Sequence, residues 1–131
     1  MQSNNITILF DTNEQIESLL MSGMASADFS VIRDSLLKGL NNITGDTISM
    51  NFINNLIDRM TITGGAIGLF SPDKSNQDVN NNITYKAENI DYDLTTEIAY
   101  LMNDAEVIYG TTYLTGGEIE TSLNDNLVVK G

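Results

Sequence analysis

Between Ala27 and Met60 the hydrophobic positions recur at the spacing of an α-helix. At 100° per residue, Phe29, Ile32, Leu36, Leu37 and Leu40 fall on one face, and Ser30, Asp34, Ser35 and Lys38 fall away from it. Phe52, Ile53, Leu56, Ile57 and Met60 form a second stripe opposite Asn51, Asn54, Asn55 and Asp58. Ser26 or Asp28 supplies an N-cap for the first stretch and Asp46 or Thr47 for the second, while Asn41 and Gly64-Gly65 mark the ends. Two amphipathic helices joined by the turn-like residues 41–46 are expected to pack as an antiparallel pair. Arg33 lies inside the first stripe. Its stem is expected to cover the apolar edge; the sharper reading is an arginine that fixes a partner or subunit contact.

The flanking segments alternate between the two periods. Ile6–Phe10 reads as a strand, and Asp11-Thr12-Asn13-Glu14 as an aspartate capping box opening a helix with Ile16, Leu19, Leu20 and Met24 on its apolar face. Met21 and Met24 at the end of that helix read as gap-filling core residues before an adaptable binding surface. Residues 61–70 suggest strand, Gly64-Gly65 turn and return strand. Residues 71–82, with Pro72, read as loop, and 83–87 as strand. A last helix is expected over about 93–105, with Leu94, Ile98, Leu101, Met102 and Ala105 on its buried face. From Val107 a β-meander is expected, turning at Gly116-Gly117 and again at 124–126, with a terminal strand able to pair with a neighbouring chain.

The expectation is an α+β fold, a single domain over 1–131. It is helix-rich over 11–60 and strand-rich over 61–131, with an antiparallel helix pair on a small, mainly antiparallel sheet. Asn-Asn-Ile-Thr occurs at 4–7, 41–44 and 81–84, and [Ile/Leu]-Thr-Gly-Gly at 62–65 and 114–117. The segments between the copies do not align, so these read as repeated turn chemistry rather than internal repeats.

Composition narrows the chemistry. A chain of 131 residues, 41% hydrophobic, buries enough surface for a core without staples. With no cysteine and no histidine, disulfides, thiolate chemistry and the commonest general base and transition-metal ligand are excluded. A formal charge of −12 disfavours nucleic-acid backbones and anionic membranes and favours basic partners. No apolar run of 18 residues and no signal-peptide pattern occurs, so a cytoplasmic protein is expected. The glycines at 64–68 follow G-G-x-x-G, which is no dinucleotide fingerprint, and the calcium-loop echo at Asp73, Ser75 and Gln77 lacks its glycine and closing glutamate.

What remains is acidic. Asp93, Glu97 and Asp104 fall on one side of the expected last helix, beside Tyr100, with Asp91 just before it. Residues seven apart on a helix are about 10 Å apart, too far to share one cation unaided, so neither metal nor cofactor is expected. Glu118 and Glu120, two apart on a strand, share a face, but nine aromatic residues and no tryptophan offer little cleft for carboxylate-pair catalysis. An enzyme is therefore not expected.

The run Asp28–Leu37 resembles openings of phage tail and baseplate proteins over ten residues, and no motif assigns the chain to a family. Polar helix faces, a possible edge strand and the lack of an active-site constellation point to a non-catalytic assembly protein, and the small, asparagine-rich, cysteine-free chain to a virion or tail component that oligomerises. The alternative is an acidic inhibitor or nucleic-acid mimic that docks on a basic groove of a host or defence protein. Both readings give a protein partner, either copies of itself or a basic protein. The residues expected to meet it are Arg33, Asp91, Asp93, Glu97, Tyr100 and Asp104, in the cytoplasm or the virion.

Overall fold

The computed structural model describes residues 2–33, 35–76, 80–96, 98–122 and 127–130, and none of them is helical. Eight strands follow one another as a single antiparallel meander in the order of the chain. They are β1 (Asn5–Phe10), β2 (Ile16–Arg33), β3 (Leu36–Ile53), β4 (Leu56–Pro72), β5 (Ile83–Asp93), β6 (Ile98–Tyr109), β7 (Thr112–Ser122) and β8 (Leu127–Lys130). The α+β expectation is overturned: the chain is all-β, and all four expected helices are strand or loop.

The helix-like stripes have a geometrical origin. In a hairpin with a two-residue loop, the last two residues of one strand and the first two of the next stand at i, i+1, i+4 and i+5. Those are positions that also share a helix face. Phe52 pairs with Ile57 and Ile53 with Leu56 around Asn54-Asn55, whose φ values of 53° and 63° are those of a type I′ turn. Ile32 likewise pairs with Leu37 and Arg33 with Leu36, with Ser35 at φ 62°.

Asp11, the aspartate of the expected capping box, is a real hydrogen-bonding group in another setting, and Asp93 plays the same part. Asp11 Oδ1 accepts from the Asn13 and Gln15 amides at 2.8 and 3.0 Å, and Asp93 Oδ1 from those of Thr95 and Thr96 at 3.0 and 3.2 Å. Each closes a strand–strand connection as an Asx turn.

The long strands are broken at mid-length by a row of bulges that crosses the sheet. Register slips between Ser22 and Ala25, Thr44 and Thr47, Thr63 and Ala66, Lys86 and Asn89, and Met102 and Ala105. In β2, β4 and β6 the irregularity is a pair of left-handed residues: Gly23-Met24 (φ 79°, 53°), Gly64-Gly65 (81°, 63°) and Asn103-Asp104 (68°, 55°). Opposite them β3, β5 and β7 carry Asp46, Glu88 and Gly117 in the gap. The glycine pairs expected to reverse the chain therefore bend strands that continue past them.

The row is the fold line of the sheet. Phe29 of β2 lies on one side of it and Tyr92 of β5 on the other. In a flat sheet the two would be roughly 30 Å apart along the strands. Their ring centroids are 5.6 Å apart with planes at 71°, an edge-to-face contact, so the two halves of the sheet close on each other as layers.

Between the layers lies one apolar core. The half that ends at the Arg33–Leu36 and Tyr109–Thr112 pairs contributes Ala25, Ala27, Val31, Ile43, Ala66, Phe70, Tyr85, Ala87, Ala105 and Val107. The other contributes Leu19, Met21, Ile48, Met50, Met60, Ile62, Ile90, Tyr92, Ala99, Leu101 and Ile119. The inward set changes phase across the bulge in β3 and β5, from Ile43 to Ile48 and from Ala87 to Ile90, so strict alternation fails over the full strand. Met21 is core, whereas Met24, in the fold line, is 82% exposed.

Candidate functional site

Of the residues singled out from sequence, the structure brings three together. Asp91 and Tyr100 are cross-strand partners on β5 and β6. Arg59 of β4 reaches Asp91 at 3.7 Å and Asp93 at 3.3 Å, and the Thr61 hydroxyl donates to Asp91 at 3.4 Å. The Thr96 and Thr95 amides, and then Arg59, hold the Asp93 carboxyl below the usual carboxylate range. Asp104 stands apart in the fold line at φ 55°. Arg33 is the last residue of β2, paired with Leu36, and Glu97 and the Arg33 side chain lie outside the described residues.

Tyr100 pairs with Glu120 and Met102 with Glu118, so these residues and Asp91 line a shallow groove of about 320 Å³ over the backbones of Leu101 and Ile119. Glu118 and Glu120 do share a face there. Among the described residues no group of three or more acidic side chains is placed to hold a metal ion. The groove is acidic, and the Asp91 carboxylate that lines it is already paired with Arg59.

The inner surface has one polar feature. Tyr85 of β5 is buried with its ring over Gly68 of β4, where an added Cβ would collide with ring carbons. Its hydroxyl passes this glycine and donates to Asn41 Oδ1 of β3 at 2.6 Å. Burial pushes the Tyr85 phenol well above its ordinary value, and the Asn41 bond offsets only part of that. Gly39 does for Phe70 what Gly68 does for Tyr85: a Cβ on it would meet that ring. Asn41 is fully buried, and its Nδ2 makes no hydrogen bond.

The ends of the layers are apolar and open. At the β2–β3 end Ile32, Leu36, Leu37 and Leu40 are exposed, the first two by 60% and 61%. At the opposite end Leu9, Phe10, Ile53 and Leu56 are exposed, Leu56 by 72%. All six residues of β1, which pairs only with β2, are exposed. A lone exposed leucine needs no explanation, but clusters of this size on a chain of charge −12 mark surfaces with something to cover.

Sequence reasoning missed Asn41, Tyr85 and Gly68. Asn41 was read as a helix end, and nothing in Gly68 on its own distinguishes a ring seat from a turn. The one signal was Ala66, Gly68 and Phe70 at period two, inward-facing and small at the centre.

Neither a protein-family model nor any curated protein matches the chain. Its fold is similar to the crystal structure of LptH, the LptA homologous periplasmic component of the conserved lipopolysaccharide transport device from Pseudomonas aeruginosa. The TM-score is 0.67 at 16% identity, over 95% of this chain and 81% of that one. At that identity the likeness is one of fold. It overturns the sequence-based picture nonetheless. The phage-component and acidic-inhibitor readings drew on a helical run at 28–37 and an acidic helix face at 93–104, and neither helix exists. The cytoplasmic or virion location expected with them finds no support in this likeness, which is to a periplasmic component.

Proposed function

We propose that this protein is a non-catalytic carrier of an acyl-chain lipid, which it holds between the two layers of its bent sheet. The observation that supports the reading is the pairing of a continuous apolar interior with apolar rims at both ends of the layers. A chain that needed only to fold would cover those rims with polar residues. Layers joined along one fold line can part at their free ends, and an alkyl chain is the guest whose chemistry matches what they would expose. LptH, with its similar fold, belongs to a lipopolysaccharide transport device, which agrees in ligand class and in working with other proteins. The absence of histidine and cysteine fits a carrier that performs no chemistry on its cargo.

Titration with cis-parinaric acid, whose emission rises when its chain leaves water, tests the reading. Saturable binding near one equivalent, lost when Ala27 and Ala105 are replaced together by tryptophan in a protein that still melts cooperatively, is expected. Linear, unsaturable emission would remove the proposal.

A further inference from the structure

The interior contains a hydrogen-bond donor that the fold does not use. Among the described residues Asn41 is the one buried polar side chain apart from the tyrosines, and only its Oδ1 is engaged, by Tyr85. Its Nδ2 is buried and without a partner. Native structures rarely leave such an amide unpaired, because the bond lost to water is not replaced. A purely structural polar pair would be served as well by two apolar groups. Here the arrangement is elaborate: Gly68 gives up its Cβ so that the Tyr85 ring can lie across β4 and lock one side of the Asn41 amide, presenting the other.

The surroundings define what the amide can meet. Its cross-strand partners are Phe29 and Phe70, Tyr85 closes one side of its amide, and the rest of the core is apolar, from Ala27 and Ile43 to Met50, Met60 and Leu101. No lysine or arginine is among the core residues, so an ionised carboxylate would be stranded there. A neutral carbonyl would be satisfied by one N–H.

We infer that Asn41 is the internal anchor for the carbonyl oxygen of an acyl ester or amide, accepting from Nδ2, with Tyr85 as the residue that positions it. The inference rests on the carrier reading and adds to it a preference for acylated lipids over bare alkyl chains.

The test compares methyl palmitate with hexadecane as displacers of a fluorescent alkyl probe from the full chain. The wild-type protein binds the ester about three- to tenfold more tightly than the alkane, the range expected for one net buried hydrogen bond. The Asn41→Leu/Tyr85→Phe double variant, which removes both polar partners together, keeps the alkane and loses the preference. Tyr85→Phe alone retains a preference, since Nδ2 remains. Equal binding of the two probes by wild type, or a preference unchanged in the double variant, overturns the inference while leaving the carrier reading intact. Failure of both probes to bind overturns both.

Discussion

Phe29 and Tyr92 meet edge to face at 5.6 Å although they sit on strands three apart in the sheet and on opposite sides of its row of bulges. That contact makes the molecule two layers rather than one extended sheet, and the carrier reading depends on it. It also identifies the bulge row, not the hairpins, as the feature that gives the chain its shape.

The fold line makes a paired prediction. Gly64 has φ 81°, and a Cβ there would press on the Asp46 side chain; Gly65 has φ 63° and open space around it. Gly64→Ala should therefore cost about 1–3 kcal/mol, for left-handed strain and crowding together. Gly65→Asn, which suits a left-handed position, should cost well under that. Urea unfolding of the two variants measures the difference, and equal losses would show that the row is not held as described.

Gly68→Ala separates packing from intrinsic propensity. In an ordinary strand the exchange is favourable, since glycine loses more chain entropy on folding. Here the methyl would displace the Tyr85 ring, and a loss of roughly 1–3 kcal/mol is expected, as for overpacking elsewhere. A stabilised variant would mean that the ring does not lie on the glycine.

Alkaline pH should loosen the fold through Tyr85. Burial raises its phenol above the ordinary value of 10.0, so the folded state retains its proton where the unfolded chain releases it. The stability this provides is intact below pH 10 and falls as pH rises beyond it. Melting temperature followed from pH 8 to pH 11 should drop steeply at the upper end in the wild type and less in Tyr85→Phe. Parallel curves would contradict the assignment.

Acid acts through the exposed turns. The Asp93 carboxyl is held below the ordinary value of 3.8, chiefly by the Thr96 amide, and Asp73 is lowered chiefly by the Ser75 hydroxyl. A lowered carboxylate contributes stability above its unfolded value that disappears as pH falls through the folded one. Asp93→Asn should leave a smaller decline in stability below pH 4 than the wild type shows, read by circular dichroism during acid titration.

What the sequence revealed was local. The strand expected at Ile6–Phe10 is β1 and the one at 83–87 lies in β5, because β-branched runs bounded by turn residues carry their own signal. The rest misled for physical reasons. Two-residue loops reproduce helical spacing at 32–37 and 52–57, Asx turns use the same side-chain-to-amide bonds as N-caps, and mid-strand bulges break alternation where the sheet continues. Each is locally indistinguishable from helix or turn until strand pairing is known. The motif Asn-Asn-Ile-Thr shows the same limit: its copies reach β1, β3 and β5, but at different distances from the fold line. The Gly-Gly of [Ile/Leu]-Thr-Gly-Gly, by contrast, lies at the fold line in both β4 and β7. The Asn41–Tyr85 pair was invisible because it joins residues 44 apart across an intervening strand.

The most direct test of the account ties the layers together. The chain has no cysteine, so a Phe29→Cys/Tyr92→Cys variant carries one addressable pair across the interior. Binding of cis-parinaric acid would be measured before and after the two thiols are joined by a short bifunctional maleimide, with each single variant capped by a monofunctional maleimide as control. If lipid enters by parting the layers, the joined protein loses saturable binding while the capped single variants keep it. Undiminished binding by the joined protein would place the ligand elsewhere and contradict the account at its centre.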